Sequence, residues 1–200
     1  ASIPGAQHFL LQYLWNHSMN NALQVGATIG ILGGGQLGRM LSIAASRIGL
    51  RTHIFEPSTS PPASHVTDSV TTASFNDADA LRRFAADVDV ITYEFENIPT
   101  STLDILETIC PIRPGRRALS ISQDRLIEKE FLNELGLKTA PYANVTCTSE
   151  ALQAANDIGT PSILKTRRMG YDGKGQIRLE TKADMPGAWD TMQGAASVLE

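Results

Sequence analysis

Two glycine-bearing stretches carry the residues whose types and spacing can do chemistry. The first is Ile29-Gly30-Ile31-Leu32-Gly33-Gly34-Gly35-Gln36-Leu37-Gly38-Arg39-Met40, where an apolar run enters three glycines and leaves in a helical pattern. Glycine accepts positive φ and allows close approach of the backbone to a ligand. Amides at a helix N-terminus favour an anion such as a phosphate. Gly33, Gly35 and Gly38 also satisfy G-x-G-x-x-G, and Glu56 ends the next apolar run, near where an acid would meet a ribose hydroxyl. Two chemistries fit this pattern: a nicotinamide or flavin dinucleotide, or a phosphate held by a tight turn in a doubly wound sheet.

The second stretch follows the apolar run Ile163-Leu164-Lys165. Thr166-Arg167-Arg168-Met169-Gly170-Tyr171-Asp172-Gly173-Lys174-Gly175-Gln176 brings glycines and cations together before Ile177-Arg178-Leu179 returns as a strand. A flexible hairpin of this kind can wrap phosphate oxygens with its amides while Lys165 and Lys174 neutralise charge. It lacks G-x-x-x-x-G-K-[ST] and a following helix, so it is neither a P-loop nor a second Rossmann turn. Between the two stretches lies Glu94-Phe95-Glu96-Asn97. Its two carboxylates would share a side on a continuing strand and are unconstrained on a loop.

The elements that must position these residues alternate. Leu37, Leu41, Ala44 and Ile48 share one face of the first helix, with Met40 and Ala45 beside them, and Gly49 stops it. Arg51–Phe55 reads as the second strand, and Pro57 to Pro62 as a loop. Asn76 or Asp77 caps a helix carrying Ala80, Leu81, Phe84 and Ala85. Val88–Phe95 reads as a strand, and Pro99-Thr100 opens a helix with Leu103, Leu106 and Ile109 at helical spacing. One helix is expected from about Ser122 to Leu135, closed by Gly136, then a helix from Glu150 to Ile158. The alternation predicts an α/β fold with a parallel sheet whose C-terminal edge gathers the glycine turn, Glu56 and the Glu94–Asn97 run. A boundary is expected between 139 and 140, separating a Rossmann-like domain at 27–139 from a partial second domain at 140–200.

The chain as a whole bounds the function. Two hundred residues suit one domain, or one and part of another. The net charge of −4 gives no basic footprint for nucleic acid. Cys110 and Cys147 fit no metal or disulfide pattern, and no apolar run is long enough for a bilayer, so a reducing cytoplasmic setting without a membrane is expected. Residues 1–26, with the short run Phe9-Leu10-Leu11 and Tyr13-Leu14-Trp15, read as an added or upstream extension.

Four stretches in order carry a more specific resemblance: Gly33-Gly34-Gly35-Gln36-Leu37-Gly38-Arg39-Met40, Tyr93-Glu94-Phe95-Glu96-Asn97-Ile98-Pro99, Gln123-Asp124-Arg125 with Lys129, and Gly170 to Gln176. From about Ala27 to Glu200 the chain resembles the N5-carboxyaminoimidazole ribonucleotide synthetases, ATP-grasp enzymes of purine biosynthesis. The resemblance implies a pre-ATP-grasp domain, then the first part of an ATP-grasp domain. It implies ATP-dependent carboxylation of 5-aminoimidazole ribonucleotide with bicarbonate. Arg125 and Lys165 are then expected to contact ATP, with Gly170, Tyr171, Asp172, Gly173, Lys174, Gly175 and Gln176 as a flap over its phosphates and Glu200 at the start of the adenine hinge. Gly35, Gln36 and Leu37 are expected at the ribotide phosphate, and Glu94 or Glu96 near the aminoimidazole. Mg²⁺ is implied with its ligands beyond Glu200 and none within this chain, so the 200 residues alone are expected to be inactive. Relatives suggest a homodimer. A Rossmann oxidoreductase and a non-catalytic nucleotide-binding fragment are the competing readings.

Overall fold

β-branched and apolar residues around one glycine make Thr28–Leu32 a strand, and its neighbours follow the alternation read from the sequence. The computed structural model describes residues 22–170 and 173–200. Residues 1–21 of the expected extension at 1–26 therefore lie outside the described residues. Contacts divide the chain into two compact units, one ending at Phe95 and including Ser101–Arg113, the other made of Glu96–Thr100 and Pro114–Glu200.

The first unit contains β1 (Thr28–Leu32), α1 (Gln36–Arg47), β2 (Arg51–Glu56), β3 (Ser69–Thr72), α2 (Ala78–Ala86), β4 (Val90–Tyr93) and α3 (Thr100–Leu106), whose first residue belongs to the other unit. The strands lie in the order β3-β2-β1-β4, all parallel. Because β1 sits between β2 and β4, the residues that follow these three strands emerge along one edge. This is the α/β parallel sheet expected from the alternation. Phe55, Leu81, Phe84 and Ile91 are fully or almost fully buried, and Phe55 meets Phe84 edge-on at 5.3 Å. Asp77, one of the two candidate caps, accepts from the amides of Asp79 and Ala80.

The face of α1 that packs is not the large apolar one. Gly38, Ser42 and Ala45 are buried, whereas Leu37, Met40, Leu41, Ile43 and Ile48 are exposed. The reason is spacing: a side chain at Gly38 would begin 2.7 Å from the Gly33 carbonyl oxygen, so only small residues let this helix approach the turn. Two further expectations shift. β4 stops at Tyr93, which leaves Glu94 and Glu96 on a loop. Ile109 lies beyond α3 and is exposed, while Leu103 and Leu106 are buried as expected.

The second unit contains α4 (Arg116–Ser122), α5 (Arg125–Glu134), β5 (Ala143–Val145), α6 (Thr148–Ile158), β6 (Ser162–Thr166), β7 (Gln176–Leu179), α7 (Met185–Thr191) and β8 (Ser197–Leu199). Its strands lie β5-β8-β6-β7, every pair antiparallel. Val145, Ala154, Leu164, Leu179 and Trp189 build its core with α6 and α7. The helix expected from about Ser122 to Leu135 is α5, starting three residues later, and α4 before it was not foreseen. Asp124 takes an extended conformation (φ −132°, ψ 115°) and caps α5 through a 3.0 Å bond from the Leu126 amide. Both α4 and α5 group with the second unit, so contacts divide the chain before Pro114, earlier than the expected 139/140.

Candidate functional site

In the first unit the turn from β1 into α1 is closed by two carboxylates. Gly33 has φ +100°, a region that favours glycine, and its amide donates to the Phe55 carbonyl at 2.9 Å. The Gly34 amide donates to Glu56 Oε2 at 2.9 Å, and Glu56 Oε1 accepts from the Ser58 amide and hydroxyl. Gly35 is the N-cap of α1 and offers no side-chain cap, nor does the first turn hold an acid. Glu94 fills that role from 59 positions away: one oxygen accepts from the Gly35 amide at 2.6 Å and the other from the Gly38 amide. A carboxylate bridging the N-cap and third amides of a helix is stabilised by both the hydrogen bonds and the helix dipole. The amides of Gln36 and Leu37, between them, have no hydrogen-bond partner among the described residues.

Gly35, Gln36 and Leu37, expected to face a phosphate, thus stand beside an internal carboxylate. Glu56, the acid that a dinucleotide would need for its ribose, is tied to the turn itself. Glu94 and Glu96 fall in different units. Glu96 accepts weakly from Asn97 Nδ2 at 3.3 Å, and its carbonyl accepts from Gln123 Nε2 at 2.7 Å.

In the second unit the glycine hairpin is held from the start of α5. The Arg125 guanidinium donates to the carbonyls of Thr166 at 2.5 Å and Gly170 at 3.0 Å, and its amide donates to the Arg167 carbonyl. Arg167 returns the contact, gripping Asp124 with Nε at 2.9 Å from Oδ1 and Nη2 at 2.7 Å from Oδ2. Burial, the largest influence on Asp124, would raise its pKa. The hydrogen bonds from Arg167 and the Leu126 amide, with the guanidinium charge, more than offset it and hold the carboxyl below its usual range. Arg168 Nη2 donates to Gln123 Oε1 at 2.9 Å. A cavity of about 600 Å³ opens beside this anchor, lined by Asp124, Arg167, Arg168 and Gly175 among others.

β6 leads into that hairpin, and its penultimate residue, Lys165, pairs with Gln176 across the ladder. The Lys165 ammonium bonds one oxygen of Glu200, and the Lys129 ammonium bonds the other. The three side chains are between 14% and 23% exposed, so these charges are shielded from screening. Burial alone would raise the Glu200 pKa, but the two lysines outweigh it and lower it. The Glu200 backbone also pairs with Ile163 in both directions, extending the ladder beyond β8. Gly175 (φ +67°) closes the hairpin, its carbonyl accepting from the Thr166 amide at 2.8 Å. Gly170, Gly173, Lys174 and Gln176 lie in the described part, whereas Tyr171 and Asp172 lie outside the described residues.

The structure brings together Arg125 with Gly170, and Lys165 with Glu200. It adds Lys129 and the Asp124–Arg167 pair, to which the sequence reading assigned no role. Lys129 lies four residues after Arg125, on the same face of one helix, and that spacing was the available signal.

Comparison with known proteins decides between the readings. Residues 26–123 match the ribonucleotide synthetase preATP-grasp domain, and residues 130–200 match the ATP-grasp domain. The N5-carboxyaminoimidazole ribonucleotide synthase of Brucella melitensis is 48% identical over 183 residues, covering 90% of this chain and 50% of that protein. The chain is a relative of the N5-carboxyaminoimidazole ribonucleotide synthases. It spans about half the length of the curated relatives it matches. Among solved members, the Staphylococcus aureus enzyme complexed with ADP superposes with a TM-score of 0.84 at 38% identity, over 90% of this chain and 48% of that one. The Aspergillus clavatus enzyme with ADP and 5-aminoimidazole ribonucleotide gives 0.77 at 27% identity, over 88% and 46%. The family has no place for the Rossmann oxidoreductase reading.

Proposed function

We propose that a protein carrying this chain uses ATP to carboxylate 5-aminoimidazole ribonucleotide with bicarbonate, forming N5-carboxyaminoimidazole ribonucleotide, ADP and phosphate in purine biosynthesis. The observation that supports this most is the convergence of Lys129 and Lys165 on one carboxylate at the foot of a glycine hairpin, within a chain matched to the ATP-grasp domain. Phosphoryl transfer asks a protein for positioning and charge neutralisation more than for covalent chemistry. Lys165 and Arg125 supply cations toward the nucleotide, the hairpin from Gly170 to Gln176 covers its phosphates, and Glu200 opens the segment that holds the adenine. The hairpin also shields a labile carboxyphosphate from water.

In this reading the ribotide lies at the turn of the first unit, near Gln36 and Leu37. A relative solved with ADP and this ribotide supports both ligands. Magnesium accompanies the nucleotide in this reading. Among the described residues no group of three or more His, Cys, Asp or Glu is arranged to hold a metal, so no residue here is assigned to it. The described residues also hold no helix long and apolar enough to cross a membrane. A cytoplasmic homodimer remains part of the proposal.

The test has two parts. Calorimetric titration of the 200-residue chain with a non-hydrolysable ATP analogue and with NADH should give binding of the first alone. A protein carrying this chain at the family's length should then release phosphate from ATP only when bicarbonate and the ribotide are both present. Saturable NADH binding without the ATP analogue would overturn the proposal.

A further inference from the structure

We infer that Glu94 is a positioning residue: its carboxylate is the resident anion of the glycine turn, so the amides of Gly35 and Gly38 do not bind the ribotide's phosphate. The three glycines of the G-x-G-x-x-G pattern each meet this side chain. A Cβ on Gly33 would begin 2.5 Å from Glu94 Cγ, one on Gly35 2.8 Å from Oε1, and one on Gly38 3.1 Å from Oε2. The pattern that invites a dinucleotide or phosphate is thus spent on admitting a glutamate. Both oxygens are committed, one to the N-cap amide and one to the third amide of α1.

A phosphate entering here would have to expel a group of its own charge from two charge-assisted hydrogen bonds. The Gly34 amide is closed as well, by Glu56. A ligand at this edge therefore meets Gln36 and Leu37, whose amides have no partner among the described residues, and its phosphate is held by groups outside the turn. The inference depends only on the geometry of the first unit, so it survives if the ATP-dependent reading above fails.

The experiment follows the backbone amide resonances of the ¹⁵N-labelled chain during titration with inorganic phosphate and, separately, ribose 5-phosphate. In the unaltered chain Gly35 and Gly38 are expected to show no saturable shift with either. In Glu94→Ala both amides should respond saturably, with apparent affinity for phosphate raised about tenfold or more. Glu94→Gln keeps the shape of the side chain but has only one acceptor oxygen, so one amide should keep its position and the other should move upfield. A merely structural role would not produce that split. If Glu94→Ala fails to fold, the unaltered chain and Glu94→Gln still decide. Saturable shifts of Gly35 and Gly38 in the unaltered chain, or an unmoved pair in Glu94→Gln, would overturn the inference.

Discussion

The two glycine-rich segments look alike in sequence and are built on opposite electrostatics. At the turn of the first unit the donors are backbone amides, and carboxylates of Glu56 and Glu94 accept from them. At the hairpin of the second unit the donors are lysine ammonium groups, and Glu200 bridges them. The glycines differ in purpose too. Gly35 has an ordinary φ of −72° and is required because a side chain would strike Glu94. At Gly173 no atom among the described residues, its chain neighbours aside, comes closer than 3.7 Å to an added Cβ, and glycine there serves its φ of +78°. One segment sets two carboxylates against neutral amides, whereas the other sets one carboxylate against two ammonium groups.

The strongest way to break this comparison is to release the hairpin from its anchor. Asp124→Ala removes both the carboxylate partner of Arg167 and the cap of α5, and leaves a largely buried guanidinium without a counter-charge in contact. A loss of about 3 kcal/mol in the second unit is expected, read from urea unfolding. An unchanged midpoint would mean that the hairpin does not depend on this pair. Next is Gly35→Val, where crowding against Glu94 Oε1 should cost about 2 kcal/mol in the first unit. Gly173→Ala should cost about 1 kcal/mol in the second, from φ alone. Equal losses in the two variants would erase the distinction between room and conformation.

Lys165→Met sharpens the charge side of the contrast. Lys129 still holds Glu200, so folding should survive while affinity for an ATP analogue falls about tenfold, equivalent to about 1.4 kcal/mol. Retained affinity would shift the nucleotide contact to Lys129.

Acid separates the two units in a gentler way. His53 is buried against Phe84 and bonds Thr71, and burial pushes its pKa down despite the opposing pull of Asp87. A depressed pKa means that the native state binds the proton less well than the unfolded chain. The stability is therefore present above about pH 6.5 and lost as pH falls through the folded value. Asp124 and Glu200 are also depressed, but from carboxylate values, so their contribution persists until about pH 4 and falls away below it. Amide exchange followed from pH 7.5 to 4.5 should show the first unit loosening before the second; the reverse order would contradict this assignment. The smallest effect is expected at the exposed Arg82–Asp79 pair, where Arg82→Ala should alter thermal unfolding by less than about 0.5 kcal/mol.

The sequence by itself determined the alternation of strands and helices in the first unit, because apolar period and stop signals act over a few neighbouring residues. A cap at Asn76 or Asp77, Gly49 and Gly136 as stops, and the hairpin returning through Ile177–Leu179 were legible for that reason. The strand on either side of the glycine hairpin was likewise legible, with Lys165 before it, whereas Arg125 entered only through the family resemblance. Only the tertiary structure decided which groups face one another. The parallel order β2-β1-β4 brings the ends of strands from residues 56 and 93 to either side of Gly33, and so delivers Glu56 and Glu94 to amides that look free in the sequence. The antiparallel order β8-β6 brings Glu200 to Lys165 across 35 positions, and α5 adds Lys129. The packed face of α1 was hidden for the same reason. Period marks a stripe of large apolar residues, but steric room at the turn admits only Gly38, Ser42 and Ala45. Local pattern records what each segment offers, and the sheet order selects the partner that accepts it.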